Sequence, residues 1–110
     1  MHTKEEITAN WLPRYTKREL SGFGEYILLT NFEYYVELFA QKFQVPILGQ
    51  DANMTSATAD NITIINFGMG SPNAATIMDL ISTIQPKACL FLGKCGGINR
   101  HNNMGDFILP

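Results

Sequence analysis

Short unbroken apolar runs alternate along the chain with stretches in which apolar residues recur every three or four positions. Tyr26-Ile27-Leu28-Leu29-Thr30 is one such run, brief and rich in branched side chains, and it predicts a buried strand. It meets Asn31, after which Tyr35, Val36, Leu38, Phe39 and Phe43 fall at helical spacing. Two further strands are expected at residues 54–57 and 62–67. Asp60-Asn61 lies between them, and both residue types tolerate the positive φ of a tight hairpin. The second of these runs straight into Gly68-Met69-Gly70. Ser71 then reads as an N-cap with Pro72 at the first helical position, and Ala74, Ile77, Met78, Ile81 and Ile84 mark a helix up to Pro86. Residues 88–92 predict a strand that ends in Gly93-Lys94-Cys95-Gly96-Gly97, and residues 107–109 a last one. At the amino end, Thr3 with Glu6 forms a capping-box pattern for a short helix expected to stop near Trp11, because Pro13 disfavours its continuation. A polar connector over residues 14–24 follows.

A series of strand, helix and strand with short connections implies an α/β fold with a mixed, largely parallel sheet, in which ligands gather at the carboxyl ends of the strands. The expected division is an N-terminal helix and connector at 1–23 and an α/β region at 24–110.

Composition trims the possibilities. A chain of 110 residues, 45% apolar and 16% charged, supports one small domain with a core but lies at the low end for a complete α/β enzyme. Eight basic and ten acidic residues give a net charge of -2, and the basic residues form no stripe, so a nucleic-acid partner is not expected. No signal-peptide pattern and no run of 18 apolar residues occurs, so a membrane partner is not expected either. Cys89 and Cys95 lack the spacing of a zinc site or a disulfide framework. The expectation is a cytoplasmic protein without metal or cofactor.

The two glycine-rich loops admit several readings. Gly68-x-Gly70 between strand and helix resembles a dinucleotide fingerprint, but Asn73 occupies the third glycine position, and the strand at 88–92 ends in Gly93-Lys94 rather than an acidic ribose ligand. Gly93-Lys94 resembles a phosphate-binding P-loop, but Ala88 replaces the first glycine and Cys95 the Ser or Thr that would reach magnesium. Both loops as plain tight turns is the simplest alternative. Two of them at neighbouring strand ends favour a site.

The stretch ITIINFGMGSPNAATIMDLISTIQPKACLFLGKCGGINRHNNMGDFIL resembles the core of the nucleoside phosphorylase and nucleosidase superfamily. The shared features are Gly68 and Gly70, the turn from Gly93 to Gly97, and Gly105-Asp106. The resemblance implies a three-layer phosphorylase/hydrolase-like fold, of which this chain holds about the first half. WLPRYTKREL, YILLTNFEYYVELFA and GKCGG together are most similar to the branch that hydrolyses AMP to adenine and ribose 5-phosphate. Phosphorylases of the superfamily carry a Gly-Asp-Pro-x-Arg loop and an arginine two residues before the glycine turn. This chain has Thr30-Asn31-Phe32-Glu33-Tyr34 and Phe91 there, and without those guanidiniums it has little means of recruiting phosphate, which leaves water as the nucleophile.

The resemblance also implies roles. Met69 packs beside the ribose, or is a core methionine. Cys95 and Gly96 line the base pocket through backbone groups; a nucleophilic Cys95 is disfavoured, since no His lies near it in sequence. Lys94 contacts an anionic part of AMP or is solvated. Arg14 holds the 5'-phosphate or is plain surface. Asn31 orients the sugar or the water, or caps the following helix. His101 faces solvent, and Asp106 fixes a turn. The acid that protonates the departing purine is expected beyond Pro110, and the superfamily implies a homo-oligomer, with a hexamer expected. Two other readings stay open: a phosphorolytic purine or uridine nucleoside phosphorylase, and a non-catalytic assembly module or half of a split enzyme, which an unpaired strand at residues 107–109 would favour.

Overall fold

The computed structural model describes residues 1–82 and 84–109; Thr83 and Pro110, the last residue of the expected α/β region, lie outside them. Helix α1 spans Lys4–Thr16 and starts with a complete capping box, in which the Thr3 hydroxyl accepts from the Glu6 N–H and the Glu6 carboxylate from the Thr3 N–H. It does not stop near Trp11. Pro13 lies inside it, and the last turn is retained because Leu12 and Thr16 are fully buried and Thr16 donates to the Leu12 carbonyl at 2.8 Å. The Pro13 carbonyl is itself used, accepting from Lys17 N–H at 2.7 Å in a left-handed cap. Arg14 is therefore helical, and the expected connector shrinks to the segment holding the 3₁₀ turn Leu20–Gly22.

Strand β1 is Tyr26–Thr30, α2 is Glu33–Phe43, β2 is Thr55–Ala59, β3 is Ile62–Asn66, α3 is Ser71–Ser82 and β4 is Ala88–Leu92. The β2–β3 hairpin turns through Asp60 and Asn61, both at positive φ as a two-residue primed turn requires. Ser71 is the first helical residue of α3 rather than its cap. The sheet order is β2-β3-β1-β4, with β1 parallel to both neighbours and β2 antiparallel at one edge.

Side chains alternate across this sheet and fill two cores. On one face Leu12 of α1 and Ile77, Leu80 and Ile81 of α3 pack on Ile27, Leu29, Ile65 and Phe67. On the other, Val36 and Ala40 of α2 cover Ala57 and Ile64. The result is a three-layer α/β fold with a mixed, mostly parallel sheet. All three parallel strands point their carboxyl ends the same way, so residues 30–33, 66–70 and 92–94 converge. The strand expected at 107–109 does not form: Phe107 and Leu109 are 98% and 92% exposed, and among the described residues no strand lies alongside to supply backbone partners. Among the described residues no helix is long and apolar enough to cross a membrane.

Candidate functional site

The end of β1 begins the site. Thr30 is fully buried and its hydroxyl accepts from Phe32 N–H at 3.2 Å, which turns the chain sharply into α2. Phe32, not Asn31, is the N-cap of α2, so the capping alternative for Asn31 fails. Instead the Asn31 amide donates to the Met69 sulfur at 3.6 Å. A thioether sulfur accepts weakly and does not donate, so the contact favours the amide nitrogen on that side. The Asn31 Oδ1 is buried and has no hydrogen-bond partner among the described residues. Buried polar atoms are nearly always paired, so an exception calls for an explanation, and a water or ligand group that binds there is one.

Asn31 lines a cleft of about 360 Å³ together with Leu29, Phe67, Gly70, Ala74 and Phe91. Phe67 and Phe91 form one wall, their ring centroids 5.9 Å apart. Met69 sits at this strand end 71% exposed, which excludes the core alternative for it. Its loop is held on both sides: Gly68 N–H donates to Asn66 Oδ1 at 3.0 Å, and Asn73 Nδ2 donates to the Met69 carbonyl at 3.1 Å. Gly68 and Gly70 have φ of 85° and 94°, the left-handed region that favours glycine.

Lys94 reaches back from the end of β4 to the start of α2. Its ammonium lies 4.6 Å from the Phe32 ring centroid and 5.7 Å from that of Tyr35, a cation–π cradle one residue from Asn31. Asn31 and Met69 are thus in contact, while Lys94 rests on the neighbouring Phe32 and Tyr35. Cys95 and Gly96 line a second concavity of about 420 Å³ with Asn102, Asn103 and Asp106. There the Asp106 carboxylate accepts from Asn103 N–H at 2.8 Å and shapes the turn. His101 is exposed. Arg14 stands apart, exposed in the last turn of α1 and without a hydrogen bond or ion pair among the described residues. Burial pushes the Cys89 thiol up, which makes it a poor nucleophile. Among the described residues no group of side chains is arranged to hold a metal ion.

Sequence reasoning missed two features. One is Glu33, whose Oε2 accepts from Asn66 Nδ2 at 2.7 Å and from the Thr55 hydroxyl. These partners lie far away in the chain, and no local pattern connects them. The other is Arg18, 9% exposed, whose guanidinium donates to the Ser56 hydroxyl at 3.0 Å and whose pKa burial lowers. Arg18 fastens the segment just after α1 to the start of β2.

A mostly parallel sheet with glycine turns at the ends of β3 and β4, and an apolar cleft beside the first of them, agrees with what comparison shows. Residues 25–110 match the phosphorylase superfamily, and the chain belongs to it. Its relatives are narrower in kind. The crystal structure of AMP nucleosidase from Bacteroides thetaiotaomicron VPI-5482 superposes with a TM-score of 0.84 at 60% identity, over 88% of this chain and 42% of that one. AMP nucleosidase from Escherichia coli strain K12 is 24% identical over 135 residues, covering 89% of this chain and 28% of that protein. The chain therefore spans less than half the length of either relative.

Proposed function

We propose that the full-length protein hydrolyses the N-glycosidic bond of AMP to give adenine and ribose 5-phosphate. The observation that carries this reading is the 60% identity, over 88% of the chain, to an AMP nucleosidase of known structure. The site is consistent with it. Cleavage leaves positive charge on the ribose and negative charge on the departing base, so catalysis needs groups that hold the sugar and protonate the purine. Asn31, with its unpartnered carbonyl oxygen, accepts from a sugar hydroxyl or from the attacking water. Met69 flanks the ribose, and Cys95 and Gly96 border the base. Lys94 leaves its aromatic cradle for an anionic part of AMP, and Arg14 takes the 5'-phosphate. No carboxylic acid lines the 360 Å³ cleft, in keeping with a purine-protonating acid outside residues 1–110. The apolar wall at Phe91 offers no cation for orthophosphate, which favours water as the nucleophile.

Residues 1–23 serve in this reading as an N-terminal helix and connector to an α/β region at 24–110. On the strength of membership in the superfamily we propose a homo-oligomer, a hexamer. The unpaired cysteines Cys89 and Cys95 suit a cytoplasmic location.

The test is an assay of AMP cleavage by the full-length protein with and without orthophosphate, identifying the sugar released. Ribose 5-phosphate formed without phosphate is expected. Strict phosphate dependence with ribose 1,5-bisphosphate as product would replace hydrolysis by phosphorolysis.

A further inference from the structure

The Gly68-Met69-Gly70 loop is held by a relay that starts on another element. Glu33, in the first turn of α2, accepts through one oxygen from Asn66 Nδ2 at 2.7 Å and from the Thr55 hydroxyl. Asn66 then uses its other amide atom, Oδ1, to accept from Gly68 N–H at 3.0 Å. A carboxylate only accepts and a backbone N–H only donates, so the two contacts together permit one orientation of the Asn66 amide. A flip would set the Asn66 oxygen against the carboxylate and its nitrogen against the Gly68 N–H, losing both bonds. Gly68 has a φ of 85°, and Met69 follows it directly and meets Asn31.

We infer that Glu33 is a positioning residue: through Asn66 it fixes the Gly68 amide and so places Met69 and Asn31 for the sugar. The assignment of the sugar to these residues rests on the function proposed above, but the relay itself does not. Glu33 has no contact with the apolar cleft and therefore acts only through Asn66. Thr55, on the antiparallel edge strand, steadies the carboxylate without touching the loop.

The test combines two readouts on the full-length protein: hydrogen–deuterium exchange of the peptide containing Gly68, and steady-state AMP cleavage. Glu33→Ala should speed exchange at residues 66–70 about tenfold or more while residues 26–30 exchange as before, the scale expected for losing one hydrogen bond to a charged group. kcat should fall by a similar factor with a smaller change in KM. Asn66→Ala should reproduce both effects, and the double variant should be no worse than either alone, since both substitutions cut one relay. Thr55→Val should leave the 66–70 peptide unchanged. If Glu33→Ala does not fold, Glu33→Gln keeps an acceptor oxygen, and a smaller loss that Asn66→Ala absorbs carries the same meaning. Unchanged exchange at 66–70 in folded Glu33→Ala, or additive losses in the double variant, overturns the inference. A wild-type protein inert toward AMP whose 66–70 peptide still responds to Glu33→Ala would refute the proposed function and leave the relay standing.

Discussion

The two glycine loops at the ends of β3 and β4 look alike in sequence and are held in opposite ways. The loop at Gly68–Gly70 is bonded from before, from behind and from the side, by Asn66, Asn73 and Asn31. The loop at Gly93–Gly97 is exposed throughout and is tied to the body by the stacking of Lys94 on Phe32 and Tyr35. Its strand is fastened better at the other end, where Lys87 N–H donates to the Glu25 carbonyl at 2.7 Å and the Lys87 ammonium pairs with the Glu25 carboxylate at 2.6 Å. Glycine thus performs two tasks. In the first loop it admits a left-handed backbone that side chains then lock; in the second, at Gly96, it leaves the backbone open. A loop bonded by side chains and an exposed one flank the end of β1.

Substitution of the glycines should break this contrast most strongly. At Gly68 the φ is positive and an added Cβ would lie 3.0 Å from Asn73 Nδ2, so Gly68→Ala should cost about 1–2 kcal/mol. At Gly96 an added Cβ would meet nothing within 4 Å, so Gly96→Ala should stay within about 0.5 kcal/mol. Urea midpoints measure both, and equal losses would erase the distinction. Thiol labelling sharpens it next. Cys95 lies in the open loop, whereas Cys89 is half-buried with its thiol pushed up, so Cys95 should react about tenfold faster or more at neutral pH, read by mass spectrometry of the labelled peptides.

Removing the tether of the second loop should do less. Lys94→Ala loses an exposed cation–π contact of about 0.5–1 kcal/mol, so only a small fall in stability is expected, together with faster exchange over residues 93–97. A loss well beyond that range would show that this loop, too, is structurally fixed. The smallest effect concerns the other end of β4. The hydrogen bond from Lys87 holds the Glu25 carboxyl below its usual pKa. Its contribution is therefore present at neutral pH and drains away as pH falls through and below the ordinary carboxylate range. Glu25 is fully exposed, so Glu25→Gln should lower the urea midpoint slightly at pH 7 and not at pH 3.

The elements that local pattern can specify were legible. The short apolar runs at 26–30 and 88–92 are bounded by turn residues, and Asp60-Asn61 suits a hairpin, so these elements could be read locally. Pro13 misled because propensity is local, while Leu12 and Thr16 gain burial from a distant core that keeps the helix going past it. Residues 107–109 have strand composition, but a strand exists only with a partner, which no local pattern reports. The site divides in the same way. Asn31, Met69 and Lys94 could be picked out as candidates because they stand at or just beyond the carboxyl ends of β1, β3 and β4. Glu33 could not be given its role, because its partners Thr55 and Asn66 are 22 and 33 residues away and meet it only once the sheet is ordered β2-β3-β1.

The carbonyl oxygen of Asn31 bears on which molecules the protein turns away. A buried acceptor left without a donor costs about 1–3 kcal/mol, and a hydroxyl brought into the cleft removes that cost on arrival. A sugar lacking that hydroxyl removes nothing, though it fits the same apolar walls. That cost, left unrelieved, corresponds to roughly 5- to 150-fold against an analogue without the hydroxyl. If Asn31 meets the ribose, ribonucleotides and deoxyribonucleotides are told apart by one amide held in place by a sulfur atom.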